Sequence, residues 1–128
     1  MEMENITSVE KPDLRDSMRS VRDALDVLGS KWKIPILLSL SQGTKRFNEI
    51  QRDLKGITAK TLSRELKELE MNRIISRSVT EDSPVGVAYS VTVYCESLRK
   101  IVDGLKEWGD HHRALIFNRN RGQGNEAA

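Results

Sequence analysis

Between Thr58 and Asn72 the segment TAKTLSRELKELEMN interleaves two sets of side chains. Lys60, Arg64 and Lys67 recur at i, i+4 and i+7, which stacks them on one face of a helix. Leu62, Leu66 and Leu69 keep the same rhythm two positions out of phase. The segment therefore predicts a helix that lies on a core through its leucines and offers cations outward. Thr58, Thr61 and Ser63 place short hydrogen-bonding side chains near its N-terminus, where free N–H groups and the helix dipole favour a phosphate. Cations that hold a phosphate backbone, beside side chains short enough to reach base edges, are the chemistry of a DNA-reading helix. Glu65, Glu68 and Glu70 share the segment, so periodicity alone also allows an ordinary solvated charged face.

The elements that must position this helix are legible on either side of it. Phe47, Ile50 and Leu54 give one apolar face to a helix of about two turns. Lys55-Gly56-Ile57 is a tight connection, and Thr58 is the N-cap of the helix that follows. Two short helices across a glycine turn form a helix-turn-helix, whose second member docks in the major groove. The short, extended and basic Thr44-Lys45-Arg46 leads into it. Behind it, residues 73–80 and 87–92 alternate and are rich in β-branched side chains, and the turn Glu81 to Gly86 joins them into a hairpin. Such a hairpin is a wing, laid along the sugar-phosphate backbone. Its acidic tip, Glu81 and Asp82, repels phosphate, so Arg77 and Ser78 nearer the base are the better contacts.

Residues 1–15 lack apolar periodicity and read as a mobile arm. From Asp16, Met18, Val21, Leu25 and Leu28 mark a first helix that Gly29 ends, and Ser30 can cap the next. That second helix, Lys31 to about Ser41, is apolar nearly all round and should be central, with Pro35 near its first turn and Trp32 as an anchor. Leu98, Ile101, Val102, Leu105 and Trp108 form a stripe along a last long helix. A winged core is complete without that helix, so its stripe must be buried on the first helix or on a second copy, and a dimer interface that includes Val21 and Leu25 is the favoured reading. Residues 113–128 are an extension, the polar RNRGQGNEAA at its end being read as disordered.

The 128 residues suit one domain, 16–112, that is mostly α with a small β-hairpin wing. A net charge of +2 permits a nucleic-acid partner without demanding one. Cys95 is the one cysteine, which excludes an intramolecular disulfide and suits a reducing cytoplasm. No apolar run is of membrane length, and the polar, acidic N-terminus is unlike a signal peptide. His111 and His112 are adjacent and diverge on a helix, so no metal is assigned; no catalytic signature or cofactor motif is seen, and no enzyme is expected.

Together these motifs resemble the HxlR-type winged helix-turn-helix regulators. The resemblance rests on Ala24-Leu25-Asp26-Val27-Leu28-Gly29-Ser30-Lys31-Trp32-Lys33, on Lys45-Arg46-Phe47-Asn48-Glu49-Ile50, on Gly56-Ile57-Thr58 through Glu70, and on Tyr89-Ser90-Val91-Thr92. It implies a dimeric bacterial transcriptional regulator, paired through its first and last helices on a pseudo-palindromic operator. Three positions depart from that pattern. Arg19 stands near where many relatives carry a cysteine, used in some for redox or electrophile sensing; Val85-Gly86 stands where relatives often have an arginine ahead of the second wing strand; and the Thr-x-x-Gly that usually opens the last helix is Thr92-Val93-Tyr94-Cys95, which makes Cys95 a candidate sensor with Arg99 and Lys100 one turn on.

Two functions follow from these residues. In the first, a homodimer binds double-stranded DNA: Thr58 and the helix N-terminus hold phosphate, Thr61 and Arg64 reach base edges, and Lys45, Arg46, Lys60, Lys67 and Arg77 hold the backbone. In the second, the basic helix is a surface for a protein partner, a reading favoured by the acidic wing tip and modest net charge. There is room for a small-molecule effector, but no polar constellation names one.

Overall fold

A computed structural model describes residues 13–79 and 86–127, with side chains through Asn118. Most of the expected N-terminal arm and the acidic wing tip, Glu81 and Asp82, lie outside the described residues. The chain divides into two compact units, one ending at Val91 and the other beginning at Thr92.

In the first unit, helix α1 spans Leu14–Leu28 and is capped by Asp13, whose carboxylate accepts the Arg15 N–H at 2.9 Å. Of its residues Leu28 alone is buried. Helix α2, Lys33–Leu40, begins two residues later than the periodicity suggests and buries Ile36, Leu37 and Leu40. Pro35 falls in its first turn, where a missing N–H costs nothing. Strand β1, Lys45–Arg46, runs directly into helix α3, Phe47–Asp53, where the Glu49 carboxylate accepts the Arg46 N–H at 2.9 Å. Gly56, at φ 95°, makes the turn into helix α4, Ala59–Met71. Leu62, Leu66 and Leu69 are at most 1% exposed, and each such burial contributes about 1.5–3 kcal/mol. Arg73, at φ 62°, turns the chain out of α4, and the Ile74 N–H reaches back to the Leu69 carbonyl at 3.0 Å.

Strands β2, Ile75–Val79, and β3, Val87–Val91, pair antiparallel from Ile75 opposite Val91 to Val79 opposite Val87. β1 pairs with the other edge of β3, Lys45 opposite Tyr89, which gives the order β1-β3-β2. The wing is thus the outer part of a three-stranded sheet. The segment around Lys45 was expected to be extended, but two residues are too few for alternation to reveal a partner. Ile75 and Ala88 join Ile50, Leu54, Ile57 and Ile74 in the core under α2 and α4.

The second unit opens with a 3₁₀ turn, Tyr94–Leu98, and continues as helix α5, Arg99–Ala127. The helix runs past residue 112 and through the stretch read from its composition as a disordered tail. No helix among the described residues is long and apolar enough to cross a membrane.

Candidate nucleic-acid interface

The first turn of α4 is organised by Thr58. Its hydroxyl oxygen accepts the Thr61 N–H at 3.1 Å, and it donates to the Thr61 hydroxyl oxygen at 3.0 Å. The Thr61 hydroxyl keeps its own proton to offer outward. Beyond this cap Lys60, Ser63, Arg64 and Lys67 are all exposed. Among the described residues none of these cations takes part in an ion pair.

Two of the three acidic residues that dilute this face in the sequence are bonded to a lysine from another helix. Glu65 is 3% exposed and accepts a hydrogen bond at 2.8 Å from the Lys33 ammonium, itself 4% exposed. The same ammonium donates to Glu68 at 2.6 Å. Burial, the largest single influence, pulls the Lys33 pKa down, but the hydrogen bonds to Glu65 and Glu68 and the charges of those carboxylates together hold the group above its ordinary value. The Lys33 bond in turn holds Glu68 below the usual carboxylate range. Removing one partner of such a buried pair costs about 3–5 kcal/mol, because the other charge is left uncompensated. Of the three glutamates in α4, Glu70 is fully on the surface, while Glu65 and half-exposed Glu68 serve a lysine from α2.

Lys45 departs from its expected role. Its ammonium bonds Asp53, the Gln42 side chain at 2.8 Å and the Ser39 hydroxyl at 3.3 Å, with Ser39 also donating to Asp53 at 2.7 Å. The side chain is 15% exposed and ties β1 to α2 and α3 rather than facing solvent. The sequence signal missed here was Asp53, eight residues away across a helix. Arg46 and Arg77 stay exposed and meet in a groove of about 750 Å³ between α3 and the sheet, together with Arg52, Phe47 and Tyr89. Arg52 was not among the expected contacts, since within its own helix it reads as one more polar residue. Arg77 lies opposite Tyr89 and Ser78 opposite Ala88, so the two project from opposite faces of the wing.

The apolar stripes expected to pair subunits are open in the single chain. Val21 and Leu25 are 57% and 59% exposed, and Leu14 and Met18 continue that face. Within the second unit Ile101, Leu105 and Trp108 are exposed, Leu98 and Val102 are half-buried, and Trp108 stacks on His112 with ring centres 4.8 Å apart. Cys95 is half-buried within the 3₁₀ turn. Burial and then the charge of Glu96 push its thiol up, so the arginine and lysine one turn on do not make it a thiolate.

A helix-turn-helix whose second helix presents unpaired cations, backed by a three-stranded winged sheet, defines the winged helix-turn-helix class of DNA-binding regulators. The chain belongs to the HxlR-like helix-turn-helix family, whose model matches residues 27–116. It is 42% identical over 98 residues to the helix-turn-helix-type transcriptional regulator YtcD of Bacillus subtilis (strain 168), covering 77% of this chain and 78% of that one. It is 40% identical over 96 residues to YybR of the same organism, covering 75% and 77%. Among solved structures, the redox regulator HypR in its reduced form superposes with a TM-score of 0.71 at 39% identity, over 76% of this chain and 96% of that one.

Proposed function

We propose that the protein regulates transcription as a homodimer that binds an inverted-repeat operator in double-stranded DNA. The observation that carries this reading is the outward face of α4: Lys60, Ser63, Arg64 and Lys67 are exposed, and among the described residues none of these cations is in an ion pair, while Glu65 and Glu68 are engaged by Lys33. A helix of that character enters the major groove, where Arg64 and Thr61 reach base edges and Lys60 and Lys67 hold phosphates. Arg46, Arg52 and Arg77 line the groove between α3 and the wing and hold the flanking backbone. Lys45, bonded to Asp53, has no part in this contact. The stripes of α1 and α5 join two copies and so set two reading helices on one operator.

Selection of random duplex DNA by the purified protein at about physiological salt tests this. An enriched inverted repeat with half-sites about one helical turn apart is expected. In the same assay Arg64→Ala should relax preference at one base position by about 1–3 kcal/mol, whereas Lys67→Ala should weaken all duplexes alike. Binding without enrichment, or an absence of salt-dependent binding, would instead mark the basic helix as a protein-docking face.

A further inference from the structure

The junction between α1 and α2 is bonded to the reading helix through one carboxylate oxygen. Ser30 lies in that junction, and its hydroxyl oxygen accepts the N–H groups of Trp32 at 3.2 Å and Lys33 at 3.1 Å. The hydroxyl proton goes to Oε2 of Glu65, in α4, at 3.0 Å. That same oxygen accepts from the Lys33 ammonium at 2.8 Å. Every hydrogen-bonding capacity of the Ser30 hydroxyl is therefore occupied, with its one donor aimed at the reading helix.

Among the described residues of the first unit, α1 has little else to fix its direction. Its residues from Leu14 to Val27 are exposed or half-exposed, and Leu28, the last, is the one that enters the core. Fifteen residues at about 1.5 Å each make a lever of roughly 20 Å, so a small change of angle at the junction moves the far end by several ångströms. A side chain at Gly29 would collide with the Leu25 carbonyl oxygen, 2.2 Å from where a Cβ would sit, so the backbone there is already closely packed.

We infer that Ser30, Glu65 and Lys33 are positioning residues that fix the angle between the dimerisation helix and the reading helix, and thereby the spacing of half-sites the protein accepts. The inference rests on the dimeric DNA-binding reading above. None of the three side chains need touch DNA; they act through α1 and α4.

The test presents the intact protein with a library in which two copies of the selected half-site, in inverted orientation, are separated by every spacing across one helical turn. Wild-type protein is expected to retain one spacing at least tenfold over its neighbours. Ser30→Ala should flatten that profile to within about threefold while leaving the base preference inside each half-site unchanged. Ser30→Thr, which keeps the hydroxyl, should restore the wild-type profile. Ile50→Val serves as a core variant that loses stability without touching the cluster, and should keep the single spacing. A Ser30→Ala profile identical to wild type overturns the inference, and so does equal flattening by Ile50→Val, which would reduce the effect to stability. Loss of any spacing preference by the wild type itself would overturn the dimeric operator reading and this inference together, and is seen before any variant is compared.

Discussion

At the scale of single residues, the charge census of the reading helix means little until each side chain's partner is known. Glu65 and Glu68 cancel Lys60 and Arg64 in a count of the segment, yet in the fold they neutralise Lys33 from another helix. That pairing was invisible in the sequence because the partners are 32 and 35 residues apart and nothing in local periodicity connects them. The exposed side of α4 was legible for the opposite reason, since helical spacing alone places Lys60, Arg64 and Lys67 away from the leucines. The same internal pairs predict how the fold responds to acid. Hydrogen bonds from Lys45 and then Ser39 hold Asp53 below its ordinary 3.8, and Lys33 holds Glu68 below 4.5. A depressed carboxylate contributes stability that is complete above its unfolded-state value and is lost as pH falls through its folded-state value. Melting temperature should therefore drop as pH is lowered below about 4.5, and Asp53→Asn and Glu68→Gln should each flatten that acid limb. An acid limb as steep in both variants as in wild type would place the titrating groups elsewhere.

At the scale of elements, the helix-turn-helix and the wing strands could be read from apolar spacing, whereas β1 and the tether at Ser30 could not. A two-residue strand carries no pattern, and Ser30 reads as an ordinary cap until Glu65 is found beside it. The glycine between α3 and α4 was legible as a turn, and its geometry explains the requirement. At Gly56 a Cβ would meet nothing within 4 Å, so the space exists, but a φ of 95° is one that L side chains rarely adopt. Gly56→Ala should therefore cost about 1–2 kcal/mol in denaturant unfolding through backbone strain. It should also weaken DNA binding beyond that loss, because the turn sets how α4 leaves α3. A variant as stable as wild type would mean that the turn relaxes to a permitted conformation at no cost.

At the scale of the whole molecule, the decisive feature is the apolar surface left on the flanking helices. Leu14, Met18, Val21 and Leu25 follow one another at spacings of four, three and four, the repeat of a helix that packs along its length against another helix. They are 45–70% exposed, and Ile101, Leu105 and Trp108 in the second unit are 50–66% exposed. Apolar stripes left open in this way are the surface through which the proposed homodimer would associate. Joining two reading helices converts the second half-site contact into an intramolecular event, which raises affinity about 10²–10⁴-fold without any new DNA contact. The double substitution Val21→Asp/Leu25→Asp should accordingly sediment as a monomer and lose at least about 100-fold in affinity for the full operator, while binding an isolated half-site as wild type does. Because these side chains are exposed in the single chain, the variant should fold, and an unchanged circular dichroism spectrum checks that. If it remains dimeric and Leu105→Asp is monomeric instead, α5 alone carries the association. In that case α1 would not join the two reading helices, and the angle fixed at Ser30 could not govern the spacing of the operator.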